Sequence, residues 1–248
     1  MPLTIARWRP LRAWMLLMGA TSLVGCTSTV RDPPARARSS FETLCEARLP
    51  PGEVVVSAIP MDPRIDTTVS YKELTQRAGK QGYVWVLGLT QPTLRVQAKW
   101  GFAGLTEQRT GRACIRPTLR MTLHYDPVIV YIGREFLDDA CAYGFIFRHE
   151  MRHVAVHVRK LREVSDRLQR DLVSRLSGAL HYGTRASLEK NLRTEIDSYW
   201  MPRAERDLKD VRRDHEAIDS PAEYAQARTV CGGSIARFLS KARAQGSS

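Results

Sequence analysis

The string His149-Glu150-Met151-Arg152-His153 sets two imidazoles four residues apart with a carboxylate between them. On an α-helix, positions i and i+4 lie one turn above each other. Both rings can therefore reach one zinc ion while the glutamate beside them holds a water against it. The chemistry of such an arrangement is hydrolysis. Three protein ligands leave a fourth position for water, whose pKa zinc lowers towards neutrality. Glu150 can take that proton and later hand it to a leaving amine.

His157 sits one turn further on but is not expected as the third ligand. Along a straight helix it lies about 12 Å from His149, against a zinc–nitrogen bond of about 2.1 Å. No glycine or proline between His153 and Arg159 turns the chain, so His157 reads as a buried seam residue or a partner of a ligand.

The third ligand must come from a neighbouring element. From an N-cap at Asp138 or Asp139 to about Leu176 a helical pattern runs without proline, its seam continued by Leu161, Val164, Leu168 and Leu172. Gly178 and Gly183 bracket a turn. A second helix is predicted from about Ser187 to His215, kinked at Pro202, with Leu188, Leu192, Ile196, Tyr199, Leu208 and Val211 as its buried face. Two long helices joined by a short turn lie antiparallel. With the turn near His181 to Tyr182, residues 149–153 face about 209–215, which points to His215 and Asp219, four apart on the stripe of Leu208 and Val211. Glu195, Glu205 and Asp207 are the alternatives if the kink rotates the helix. Ser220-Pro221-Ala222-Glu223 predicts a capping box opening a third, short helix that ends near Cys231-Gly232-Gly233.

The first half has the period of strands. Val54 to Val56, Val84 to Leu89 and Leu94 to Trp100 are candidates, and Leu119 to His124 with Val128 to Ile132 reads as a hairpin turning at Asp126-Pro127. A short helix is predicted over Tyr71 to Ala78. The fold class is thus α+β: an N-terminal, mainly antiparallel sheet (41–135), then a long antiparallel helical hairpin and a short C-terminal helix (136–240). These form one composite domain, followed by a disordered tail (241–248). Acid-before-base pairs Glu163/Arg167, Asp166/Arg170 and Asp171/Arg175 mark a solvated helix face.

The N-terminus concerns location. Arg7, Arg9 and Arg12 precede an apolar run, Ala13 to Val24, that ends in Leu23-Val24-Gly25-Cys26. This resembles the lipobox of bacterial lipoproteins, which implies a signal peptide over 1–25, cleavage before Cys26, acylation of that cysteine and a tether over 26–40. Thr27 after the cysteine favours the outer membrane, facing the periplasm. The other four cysteines, Cys45, Cys114, Cys141 and Cys231, form an even set in an oxidising compartment, so two disulfides are expected. Three pairings are possible; Cys45 with Cys114 and Cys141 with Cys231 is the favoured one. The formal charge is +12, of which the leader carries three arginines. For an exported chain this suits anionic lipid or acidic cell-wall polymer, and nucleic acid is not an expected partner.

Over most of the chain the order of elements resembles a bacterial family of predicted secreted zinc-dependent proteases. Val69-Ser70-Tyr71-Lys72-Glu73-Leu74 is similar to the family's opening segment, Gly88-Leu89-Thr90 to its glycine-threonine strand, and Ala113-Cys114-Ile115 to its cysteine-containing strands. The H-E-x-x-H helix follows. Ile218-Asp219-Ser220-Pro221-Ala222-Glu223-Tyr224-Ala225 can be laid against a family stretch Tyr-Asp-x-x-Thr-x-His-Gly. There only Asp219 matches; Tyr224 replaces the histidine and Ala222 the threonine. The resemblance implies a zincin-like fold, with His149, Glu150, His153 and Asp219 carried over and the strand before the helix open to an extended peptide.

The function expected is that of a lipid-anchored envelope metallopeptidase acting on a peptide or protein, with Glu150 catalytic and Zn2+ held by His149, His153 and one or both of His215 and Asp219. Its rival is a non-catalytic envelope lipoprotein whose helical hairpin binds a protein or cell-wall partner. Hydrolysis of cell-wall peptides would use the same site.

Overall fold

The structure, a computed structural model, describes residues 39–80 and 84–246. Cys26 and the expected signal peptide lie outside those residues, as does nearly all of the tether. In chain order the elements are α1 (Ser40–Arg48), β1 (Val54–Ala58), β2 (Pro63–Asp66), α2 (Tyr71–Arg77), β3 (Gly88–Thr106), β4 (Arg112–Ile132), α3 (Ala140–Leu172), β5 (His181–Thr184), α4 (Arg185–Glu195), α5 (Met201–Lys209), α6 (Arg212–Ile218), α7 (Pro221–Thr229) and α8 (Ser234–Gly246). No helix among them is long and apolar enough to cross a membrane.

Strand β4 organises the sheet. One of its edges takes β3 antiparallel along almost its whole length. The other edge is tiled end to end by three short strands: β5 antiparallel at Arg112–Ile115, β1 parallel at Leu119–Leu123, and β2 parallel at Val128–Tyr131. The sheet is therefore mixed: β3 and β5 run antiparallel to β4, and β1 and β2 run parallel to it. Alternation of apolar residues tells which face a side chain takes but is silent on the direction of the neighbouring strand.

The hairpin expected at Asp126-Pro127 is absent. The chain passes that cis peptide and continues as β4, and the reversal falls at Glu107–Gly111 instead. There Gly111 adopts φ +70° and its N–H bonds the Glu107 carbonyl at 2.8 Å. Between the pairs Leu94–Tyr125 and Pro92–Val128, Thr93 alone faces both Asp126 and Pro127, which is a bulge in β4. Proline has no N–H for the ladder, and a bulge is where a strand can carry it. The extra residue also moves the buried set from odd to even numbers, Leu119, Met121, Leu123 and Tyr125 before it and Val128, Val130 and Ile132 after. Both apolar series thereby face the same side. Likewise the strands expected at Val84–Leu89 and Leu94–Trp100 are one strand beginning at Gly88.

Helix α3 lies on that side. Val154, Leu161, Val164, Leu168 and Leu172 meet Met121, Leu123 and Val128 beneath, and Leu192, Ile196, Trp200, Ala204 and Leu208 of the α4–α5 segment pack into the same core. Each fully buried leucine stabilises the fold by about 1.5–3 kcal/mol. The α4–α5 stripe repeats every four residues because a wide helical turn, Ile196–Trp200, joins the two helices. That turn buries Trp200 and leaves Tyr199, the expected core residue, exposed. Pro202 follows it in the first turn of α5, where its missing N–H is tolerated, so the kink expected there is replaced by the wide turn. The true break comes at Asp210-Val211, so the second helix stops short of His215.

On the opposite sheet face α1 packs Phe41, Cys45 and Leu49 on Cys114, and Leu74 of α2 packs on Tyr131. Disulfides join Cys45 to Cys114 and Cys141 to Cys231, the favoured pairing. Helix α8 docks on the start of α3 through Ile235 and runs on to Gly246, into the stretch expected to be a disordered tail. Of the expected pairs, Arg167 instead reaches Asp207 at 3.3 Å, Asp171 reaches Arg203 at 2.5 Å, and Arg175, just past α3, reaches Glu195 at 2.8 Å, while Glu163 pairs along the helix with Arg159 at 3.7 Å.

One α3 residue does the work of a strand. The Gln169 carboxamide accepts from the Val56 N–H at 2.6 Å and donates to the Val54 carbonyl at 2.9 Å, satisfying the free edge of β1. Gln169→Ala leaves both backbone groups unpaired and should lower the unfolding free energy by about 2 kcal/mol. The measurement is the urea midpoint at unchanged slope; an unmoved midpoint contradicts this role.

Candidate metal centre

Helix α3 is capped by Asp139, whose carboxylate accepts from the Ala142 N–H at 3.0 Å, and carries His149 and Glu150 on its third turn and His153 on its fourth. His149 Nε2 and His153 Nε2 are 3.2 Å apart. Asp219 Oδ1 lies 3.1 Å from the first and 3.3 Å from the second. Around a tetrahedral zinc with bonds of about 2.0–2.1 Å, neighbouring ligand atoms are about 3.3–3.4 Å apart, so these donors fit such an ion. Among the described residues His149, His153 and Asp219 form a group that could hold a metal ion.

Each imidazole has a partner on its other nitrogen. His149 Nδ1 lies 3.2 Å from Glu223 Oε1. With Nε2 facing the metal group, Nδ1 carries the proton and donates to that carboxylate. Arg152 comes within 3.0 Å of the same Nδ1, but both are donors, and its guanidinium pairs with Glu223. His153 Nδ1 lies 2.7 Å from His215 Nδ1. With His153 Nε2 facing the group, His153 donates and His215 accepts.

His215 is thus placed behind His153 and not among the metal-facing donors, contrary to expectation. The expectation has the second helix, kinked at Pro202, running on unbroken to His215. The break at Asp210-Val211 starts α6 afresh, so the His215 ring meets His153 on its far side. Asp219, the C-cap of α6, comes round to the Nε2 atoms. Glu195, Glu205 and Asp207 are engaged elsewhere, with Arg175, Lys209 and Arg203.

Glu150 is 4 % exposed. The Thr90 hydroxyl on β3 lies 2.8 Å from its Oε2 and 3.1 Å from its backbone carbonyl. Strand and helix approach this closely because residue 88 is glycine. A Cβ there would sit 2.6 Å from Ile146 Cγ2 and 2.7 Å from Glu150 Oε1.

The charges follow the geometry. Burial pushes the Glu150 carboxyl up against the pull of both imidazoles. Burial also acts to raise Asp219, but hydrogen bonds from His149 and His153 outweigh it and hold the carboxyl well below the usual range. His149 is raised: burial opposes this and is overcome by Asp219, Glu150 and Glu223. Glu223 is lowered despite burial, by Arg152 and then His149.

Three contributors escaped the sequence reading. Gly88 and Thr90 were noted only within a family motif; nothing local links them to Glu150. Glu223 was assigned to the capping box. Ser220 does accept from the Glu223 N–H at 3.3 Å, but the Glu223 carboxylate turns to His149 and Arg152. Its position four residues after Asp219 was the available signal. The chain matches no family model, no curated protein and no solved structure.

His157 is a seam residue, 7 % exposed, with its ring 5.0 Å from Tyr125 and 4.9 Å from His215. Its Nδ1 is buried without a hydrogen-bond partner among the described residues. Burial, then the charges of His215 and His153, push its pKa down to about 4. The unfolded chain takes this proton first as pH falls, so the stability of neutral, buried His157 is complete above about pH 6.5 and lost on approaching pH 4. Metal-free His157→Phe should therefore gain on the wild type by up to about 3 kcal/mol between pH 7 and pH 4. Urea unfolding at the two pH values measures this; a pH-independent difference overturns it.

Proposed function

We propose that this protein is a zinc metallopeptidase, exported and lipid-anchored in a bacterial envelope, with His149, His153 and Asp219 as metal ligands and Glu150 as general base. The observation that carries the reading is the three-donor triangle built beside a buried carboxylate of the same helix. Two imidazoles and one carboxylate suit iron(II) as well as zinc. The buried Glu150, which a hydrolytic site needs and an oxygen-activating site does not, favours zinc. Bound there, the ion would supply Lewis acidity, lowering the pKa of water and polarising a carbonyl.

The chain's own residues supply the rest. Thr90 donates to Oε2 of Glu150, and the carboxylate so oriented would accept a proton from the nucleophile and return it to the leaving amine. A carboxyl raised by burial is better matched to taking and giving protons near neutral pH than a solvated one. Glu223 and His215 hold the two imidazoles in the tautomer that presents Nε2. The reading also draws on the sequence resemblance to secreted zinc-dependent proteases. Its glycine-threonine strand corresponds to the residues that meet Glu150, and its aspartate to Asp219. The two disulfides suit an oxidising compartment.

Purified protein should contain one zinc per chain and cleave casein or a peptide library. Glu150→Gln should retain the zinc and lose about 10²–10⁴-fold in kcat/KM, the usual scale for a general base. Undiminished turnover in that variant excludes the enzyme reading.

A further inference from the structure

The segment that delivers Asp219 has no core of its own. Between Val211 and Ile235 no residue is buried. Helices α6 and α7 meet α3 chiefly through polar contacts: Asp214 to Arg159 at 2.6 Å, His215 to His153, Asp219 to the two imidazoles, and Glu223 to His149 and Arg152; the His215 ring also packs on His157. Arg159, Asp214, Arg152 and Asp219 are half-exposed; ion pairs at such positions add little stability, and a segment without buried residues lies at the low-stability end of a fold.

One covalent link stands out against that background. Cys231 follows α7 and is bonded to Cys141 in the first turn of α3. From Cys141 to His149 the α3 backbone rises about 12 Å, and α7 rises about 12 Å from Pro221 to Thr229. The matching lengths make α7 a strut. Its far end is pinned at the start of α3 by the disulfide, and its near end, capped by Ser220, sets Asp219 and Glu223 at the level of His149. Cys231, Gly232 and Gly233 all have positive φ, the sharp turn that lets the chain leave the bridge and enter α8.

We propose that the Cys141–Cys231 disulfide is a positioning element of the metal site, fixing the α6–α7 strap so that Asp219 is presented to His149 and His153 before the ion arrives. The inference rests on the metal-site reading above and adds to it a requirement for the bridge. The other disulfide, Cys45–Cys114, ties α1 to the opposite sheet face and touches none of this, which makes it the internal control.

Zinc affinity, measured by competition with a chromogenic chelator, is compared in oxidised wild type, C141S/C231S and C45S/C114S. Hydrogen exchange is followed at residues 212–229 and in β4. C141S/C231S should bind zinc about 10- to 100-fold more weakly, the loss typical when the support of a metal ligand is removed. Its strap amides should exchange faster without metal and regain protection as zinc is raised past the new dissociation constant, with β4 still protected. C45S/C114S should keep wild-type affinity. A second variant retains the bridge but inserts Gly-Ser-Gly after Thr229, slackening the strut, and should weaken zinc by a similar factor. Affinity in C141S/C231S within twofold of wild type, or an equal loss in C45S/C114S, overturns the inference while leaving the metal site standing. An oxidised wild type that binds no zinc overturns the site itself.

Discussion

The arrangement depends on one convergence: a carboxylate from the end of α6 meeting two imidazoles presented one turn apart by α3. Three donor atoms separated by 3.1 to 3.3 Å do not gather without cause, since each would otherwise be solvated on its own. In the absence of an ion the attraction is that of hydrogen bonds between Asp219 and the histidines, which is why the aspartate is held so acidic. A divalent cation would take over the same three contacts.

The rest of the molecule places those groups from two sides. The sheet supports α3 through a core of leucines and valines, and the bulge at Asp126-Pro127 keeps both halves of β4 turned towards that helix. At its free end the strand pair comes so close to α3 that only glycine fits at residue 88, and Thr90 then orients Glu150. From the other side the α6–α7 segment brings Asp219, His215 and Glu223 without burying any of its own residues. Base and two ligands are thus on the rigid part of the fold, and the third ligand is on a part held chiefly by the site and a disulfide.

How much of this was legible varies with the kind of information each feature needs. The H-E-x-x-H turn, the extent of α3 and the cap at Asp139 are local matters of spacing and were readable. Asp219 was found by laying one helix against another, an estimate good to a turn or two. His215 was misplaced by the same estimate because nothing in Asp210-Val211 announces a break. The continuous β4 was hidden by Asp126-Pro127, a pair with strong turn character that here occupies a bulge. Parallel pairing of β1 and β2, the clasp of Gln169 on β1 and the approach of Gly88 and Thr90 to Glu150 are products of tertiary packing, with no local period to betray them.

Which nitrogens face the metal decides between this account and a three-histidine site, and ring nitrogen-15 NMR of the histidines in zinc-loaded, oxidised protein reads it directly. The account predicts metal-shifted Nε2 and protonated Nδ1 for His149 and His153, with His215 neutral, uncoordinated and unprotonated at Nδ1. Coordination by His215 or His157, or rings of His149 and His153 that do not respond to zinc, would contradict it.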